Sequence, residues 1–242
     1  MPVFQLPKEI IFPDPDFAEP DGLLAVGGDL SPARLLAAYR RGIFPWYSAG
    51  EPILWWSPAP RLILLPEEFH CPRRLARMLR KNTFSLQINQ AFSEVIDSCA
   101  DTRIKSGEGT WITKEMKEAY IKLHELGYAH SVECMQDGQL MGGLYGVCLN
   151  QVFFGESMFS LVSNASKTAL AGLVHLCMEN KIKMIDCQMT TAHLLKLGAK
   201  EISRPHLQTL LQQWTAPVNP NPEKTDTQWH GQLVTSEISF RV

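Results

Sequence analysis

Apolar positions along this chain fall into two regimes. Up to about residue 60 they form short clusters broken by Pro and Gly; beyond it they recur at helix or strand spacing. In the first regime, Asp21-Gly22 and Gly27-Gly28-Asp29 mark turns. Ser31-Pro32 supplies an N-cap and a proline at the first helical position, opening a helix to about Arg41 with Gly42 as its stop. Gly42–Tyr47 and Pro52–Pro58 crowd aromatics beside proline and are expected to be ordered loops held by their rings, because proline interrupts regular hydrogen bonding.

The second regime begins with a short apolar strand at Leu62–Leu65. A helix follows over Cys71–Asn82, with Leu75, Met78 and Leu79 on one stripe. Strand Phe84–Ile88 then leads to a helix capped by Asn89 and running to about Cys99, with a polar loop over Asp101–Gly109. Thr113 caps a long amphipathic helix that ends at Gly127; its Met116, Ala119, Tyr120, Leu123 and Leu126 share a face. From Ala129 the period shortens. His130–Met135, Gln139–Cys148 and Val152–Phe159 read as strands, the first two joined by the hairpin signal Asp137-Gly138. A helix over Asn164–Glu179, a strand over Met184–Cys187 and a helix from Thr191 to Gly198 complete the order, and the segment after Trp214 reads as a linker or loose tail.

This order predicts an α+β fold: a small N-terminal α/β domain (1–62), an acyltransferase-like domain (63–214) and a C-terminal tail (215–242). Composition narrows the class. With 45% apolar and 20% charged residues, the 242-residue chain has ordinary globular usage rather than that of a disordered protein. Its 23 basic and 25 acidic side chains leave a net charge of −2, which argues against bulk electrostatic coating of nucleic acid but permits a local basic patch. No apolar run reaches the roughly 20 residues of a membrane helix, and no basic-then-apolar leader opens the chain, so a soluble cytoplasmic protein is expected. The six cysteines form no C-x-x-C pair and are expected to be structural.

Three groups of residues carry candidate chemistry. Arg73, Arg74, Arg77, Arg80 and Lys81 lie within one helix that holds no acid, a pattern that favours a phosphate-bearing partner over a merely solvated face. Trp46, Tyr47, Trp55, Trp56 and Trp111 can stack unpaired bases or fill a core; Trp111, at a helix start, is the better binding candidate. In the third group, Glu156 puts a carboxylate inside an apolar strand, which is costly without a partner or a task. Asp186 and Gln188, two apart at the end of another apolar strand, are expected to face one side, where an amide and a carboxylate can hold an amine and accept its proton. The chain has no P-loop, no G-x-S-x-G elbow, no zinc spacing, and no Gly-rich pyrophosphate loop before Asn164.

The strings Gly22-Leu-Leu-Ala-Val-Gly-Gly-Asp-Leu-Ser31, Gly42-Ile-Phe-Pro-Trp46, Glu108-Gly-Thr-Trp-Ile-Thr113, Gly155-Glu-Ser-Met-Phe-Ser160 and Asp186-Cys-Gln188 resemble the bacterial leucyl/phenylalanyl-tRNA–protein transferase family over roughly residues 1–210. Ala59 stands where that family usually has an acid, and Lys196 where a Ser is common. The resemblance implies a small N-terminal domain, a GNAT-like catalytic domain, and no metal or coenzyme. It also implies transfer of Leu or Phe, and Met less readily, from aminoacyl-tRNA to proteins that begin with Arg or Lys, creating a degradation signal. On that resemblance, Asp186, Gln188 and Glu156 are catalytic, and Met141, Leu144, Phe153, Met158 and Leu173 line the side-chain pocket. Trp46, Trp111, Tyr39 and Tyr120 lie near the 3′-terminal adenosine, and Arg73, Arg77, Arg80 and Lys81 hold tRNA phosphates. Two other readings share parts of the pattern: a coenzyme A-dependent GNAT acyltransferase, and a non-catalytic RNA-binding module, which gives no reason for Glu156, Asp186 and Gln188.

Overall fold

Two sheets, formed one after the other along the chain, organise the molecule. A computed structural model describes residues 3–107, 109–216, 229, 231–233 and 235–238. Glu108 of the resemblance string and residues 217–228 of the expected tail lie outside the described residues. The first sheet comprises β1 (Phe4–Leu6), β2 (Leu23–Gly27), β3 (Phe44–Pro45) and β4 (Leu54–Trp56), in the order β1-β2-β4-β3. The last two correct the loop expectation for Gly42–Tyr47 and Pro52–Pro58. They are too short to show a period, and Pro45 sits on an edge strand, where its missing N–H breaks no ladder. Trp55 anchors the sheet: its ring is buried and its Nε1 donates to the Gly27 carbonyl at 2.8 Å. Helix α1 (Pro32–Tyr39) opens as expected, the Ser31 hydroxyl accepting from the Arg34 amide at 3.4 Å.

The second sheet holds β5 (Arg61–Leu64), β6 (Ser85–Ile88), β7 (Ala129–Gln136), β8 (Gln139–Leu149), β9 (Val152–Ser160), β10 (Met184–Gln188), β11 (Lys200–Ile202) and β12 (Gly231–Leu233), in the order β11-β5-β10-β9-β8-β7-β6-β12. The helices are α2 (Arg73–Arg80), α3 (Phe92–Lys105), α4 (Lys114–Glu125), α5 (Ala165–Glu179), α6 (Ala192–Leu195) and α7 (Arg204–Trp214). Successive strand side chains point to opposite faces, so Phe153 and Phe154 enter different cores. Phe154 joins the core that takes in residues of α1, α3, α4 and α7, including Tyr39, Val95, Tyr120 and Leu211. Phe153 joins the core of α2 and α5, with Leu75, Leu79, Leu170 and Leu173. None of the helices among the described residues is long and apolar enough to cross a membrane.

Three antiparallel strands, β7-β8-β9, followed by α5 and then β10 parallel to β9, give the GNAT-like arrangement expected from the sequence. Two irregularities in it shape the site. β9 and β10 pair only from Val152 opposite Met184 to Phe154 opposite Asp186, while β9 continues beside β8 alone. In that β8–β9 ladder Tyr145 faces Ser157 and Gly146 faces Gly155, so Glu156 is the extra residue of a bulge.

Elsewhere the structure departs from the expected boundaries. Helix α3 runs on to Lys105 instead of ending near Cys99, because the polar residues after Cys99 include exposed positions of its last turns. Its N-cap is Ala91, not Asn89. Asn89 adopts a φ of 58° and turns its side chain to β7, its Oδ1 accepting from the Ser131 amide at 2.9 Å. The chain after Trp214 is not wholly a loose tail: Gly231, Gln232 and Leu233 pair antiparallel with Ile88, Gln87 and Leu86.

Candidate active site

The two carboxylates singled out in the sequence are both buried, in different company. Asp186, at the end of β10, has no exposed surface and binds the equally buried Arg61 of β5 through two bonds, Nε to Oδ1 at 2.8 Å and Nη2 to Oδ2 at 2.9 Å. The Arg61 guanidinium also lies 4.8 Å from the centre of the Phe44 ring, which brings the first sheet against this pair. Asp186 Oδ1 accepts in addition from the Gln188 amide at 2.9 Å. That bond holds a sharp turn, because Gln188 has a φ of 60° and the β5 register shifts between Asp186 and Gln188. The regular alternation expected to put both side chains on one face therefore breaks: Asp186 reaches toward β5, and Gln188 toward β9.

Glu156 receives the other end of Gln188. Its Oε1 accepts from Gln188 Nε2 at 3.0 Å and from the Tyr39 hydroxyl at 2.8 Å, and its Oε2 accepts from the Tyr120 hydroxyl at 2.8 Å. The two phenols also contact each other. No cation among the described residues bonds to this carboxylate. Burial pushes its pKa up to about 7, while the Tyr39 and Tyr120 hydroxyls pull down, Asp186 pushes up, and Arg61 pulls down. Burial and the Glu156 charge in turn hold both phenols well above their ordinary value. α1 supplies Tyr39 and α4 supplies Tyr120, so this cluster joins the first sixty residues to the second sheet.

Beside Glu156 the gap past the β9–β10 pairing opens into a cavity of about 300 Å³. Leu144, Phe153, Met158 and Leu173, four of the five pocket candidates, line it together with Leu170 and Ile185. Met141 does not; it packs against the α2–α5 core. Arg103, Thr191 and His193 contribute polar groups to the lining.

The remaining candidates are scattered. Tyr39 and Tyr120 have no exposed surface, so neither ring offers a face to a base; their contribution is the two hydroxyls on Glu156. Trp46 is 44% exposed and meets Trp56 edge-on at 5.7 Å, and Trp111 is half-buried against the first core; neither lines the cavity. Arg73, Arg77, Arg80 and Lys81 are all exposed, and none makes an ion pair among the described residues. Their helix shares its core with α5 and much of the cavity wall.

Sequence reasoning missed Arg61 and Tyr145. Arg61 opens an otherwise apolar strand, the same signal that marked Glu156. Tyr145, in the apolar run of β8, lines the cavity with its hydroxyl unpaired among the described residues.

Residues 63–212 match the family profile described as leucyl/phenylalanyl-tRNA protein transferase, and residues 28–59 match the profile of its N-terminal domain. The leucyl/phenylalanyl-tRNA–protein transferase of Desulfatibacillum aliphaticivorans is 57% identical over 213 residues, covering 88% of this chain and 91% of its own. That of Syntrophobacter fumaroxidans is 57% identical over 87% of this chain and 90% of its own, and that of Desulfotalea psychrophila 54% identical over 92% and 98%. A solved structure, the C-terminal domain of a putative lysylphosphatidylglycerol synthetase from Agrobacterium fabrum, superposes with a TM-score of 0.39 and 9% identity over 76% of this chain and 56% of that one, a likeness too weak to argue from. On the two profile matches and these identities over 87–92% of its length, the chain belongs to the leucyl/phenylalanyl-tRNA–protein transferase family.

Proposed function

We propose that the cavity beside Glu156 holds the leucyl or phenylalanyl side chain of an aminoacyl-tRNA, and that Glu156 and Gln188 deliver a protein α-amine to its ester. The reaction is aminoacyl transfer from tRNA to a protein N-terminus, with Arg or Lys as the acceptor residue. An α-amine titrates near about 8, so a useful fraction is neutral at physiological pH, and the ester is already activated. What the site has to supply is proximity, which contributes roughly 7–11 kcal/mol, and a place for one proton.

The residues divide that work. Gln188 Nε2 is committed to Glu156, which leaves its carbonyl oxygen to accept from the incoming amine. As the amine nitrogen bonds to the ester carbon, Glu156 takes a proton from it. When the bond from that carbon to the ribose oxygen breaks, the proton passes to the departing oxygen. Asp186, with both oxygens on Arg61, is a positioning residue: it fixes the turn that aims Gln188. Leu144, Phe153, Met158 and Leu173 sort side chains by shape, which separates neighbours by only about 1–3 kcal/mol, so Met is a slow substrate. The cations of α2, which make no ion pair among the described residues, take the phosphates of the tRNA without reading its sequence, with Trp46 and Trp111 as the remaining candidates for its terminal base. Use of charged tRNA puts the reaction in the cytoplasm.

The observation that carries this reading is a carboxyl poised near neutrality on the wall of an apolar cavity, bonded to an amide on a strained turn. The test incubates the protein with radiolabelled Leu-tRNA and a peptide beginning with Arg, with labelled acyl-coenzyme A as the parallel donor. Label is expected on the peptide from the tRNA only. Label from the coenzyme A donor alone, or from neither, overturns the reading.

A further inference from the structure

The family profile ends at residue 212, yet a residue well beyond it backs the cavity. Trp229 is 2% exposed, and its ring lies nearly flat against Phe153, 5.6 Å between centroids and 6° between planes. Its carbonyl accepts from Asn89 Nδ2, and it also stacks on His130 at 5.0 Å. The next described residues secure it. β12 adds to the sheet beside β6, the Thr235 hydroxyl lies 2.9 Å from Asn82 Oδ1 and 3.0 Å from the Phe84 carbonyl, and the Ser236 amide donates to Asn82 Oδ1 at 2.8 Å. The indole N–H of Trp229 has no acceptor among the described residues, so ring packing rather than a hydrogen bond fixes that side chain.

Phe153 is the element this packing controls. It is fully buried and lines the cavity. At its tip the chain runs through Gly146, where any Cβ would collide with Cε1 and Cζ of the ring. With its tip on bare backbone and a face against the indole, the ring has one place to sit. We infer that Trp229 is a specificity-determining positioning residue: through Phe153, the C-terminal segment sets the depth of the pocket and so the balance between Leu and Phe. This statement rests on the reading of the cavity as the side-chain pocket. Without the indole, the Phe153 ring swings back into the vacated volume, the pocket deepens, and the larger substrate gains.

The experiment sets Leu-tRNA and Phe-tRNA, separately labelled, in competition in one reaction with the full-length protein and a peptide beginning with Arg. The product ratio reports relative kcat/KM and cancels any change in the fraction of active protein. Trp229→Ala is expected to move the ratio toward Phe by about fivefold, within the range that shape alone supplies in an apolar pocket. Trp229→Phe keeps a flat ring, loses no hydrogen bond, and is expected to stay within about twofold of the parent. Should the alanine variant not accumulate, Trp229→Leu is read in its place and is expected to move the ratio the same way by at least about twofold. An unchanged ratio in Trp229→Ala (or in Trp229→Leu where that is read in its place), or an equal shift in Trp229→Phe, overturns the inference. Phe153→Leu separates the two layers: a changed ratio there beside an unchanged one at Trp229 faults the inference alone, whereas an unchanged ratio at Phe153 faults the pocket reading beneath it.

Discussion

Asp186 and Glu156 are both buried carboxylates on neighbouring strands of one sheet, and they differ in the charge of their partners. Asp186 is met by a guanidinium in a two-bond clamp. Glu156 is met by two phenols and an amide, which are donors without charge. A clamp with a full counter-charge keeps a carboxylate's oxygens occupied. Neutral donors offset only part of the cost of burial, so Glu156 sits near pH 7, where it can gain and lose a proton during turnover. The lesson concerns roles rather than stability. Burial alone does not separate these two acids; the charge of their partners does.

The harshest way to break that contrast is to remove the counter-charge. Arg61→Met leaves Asp186 buried with no cation, and breaking a buried pair from one side costs about 3–5 kcal/mol. Denaturant unfolding should show that loss, and the double variant Arg61→Met/Asp186→Leu should regain most of it. A loss under about 1 kcal/mol, the scale of an exposed pair, would mean that the clamp does little, and the contrast would collapse.

Next in size is Glu156→Gln, which preserves shape and removes the titration. Transfer should fall by about a hundredfold, the scale of one general base. Stability should move the other way. The native pKa of Glu156 is raised above its unfolded value, so the native state binds the extra proton and its advantage is complete below about pH 4.5. That advantage disappears as pH climbs through about 7, and it amounts to about 3 kcal/mol for the shift concerned. Unfolding free energy of the parent relative to the variant should therefore decline from pH 4.5 to 7 and level off above. Full activity in Glu156→Gln would remove this residue from the proton path.

Much of this was visible in the sequence, and what was hidden has physical causes. The elements from α2 to α5 showed their periods because each buries one face or one run against a long sheet. β3 and β4 did not, since two- and three-residue strands carry no period and their proline and tryptophan resemble loop chemistry. The last turns of α3 read as a loop because their exposed polar residues hide the helical stripe. In the site, Glu156 stood out as an acid among apolar neighbours, but Arg61 lies 125 residues from Asp186 and only the folded sheet brings them together. Tyr39 and Tyr120 entered by resemblance as partners of a nucleotide; in the fold their hydroxyls sit on Glu156. Trp229 gave no signal at all, since its stacking partner Phe153 lies on β9, far away along the chain.

The finest probe of the contrast is Tyr39→Phe, which removes one neutral donor and keeps the ring packed 5.0 Å from Phe154. The Tyr39 hydroxyl favours the ionised form of Glu156, so its loss should raise that pKa further above 7. The sign gives the experiment its discrimination. At acidic pH fewer molecules carry the base, and the variant should be slower than the parent by up to about tenfold, the value of one pKa unit. At alkaline pH both forms of the enzyme hold an ionised Glu156, so the rate ratio of variant to parent should climb back toward one. A packing defect would depress the rate equally at every pH. A ratio that stays flat from pH 6 to 9 would therefore show that the phenols do not tune this carboxyl, and that its nearness to neutrality comes from burial alone.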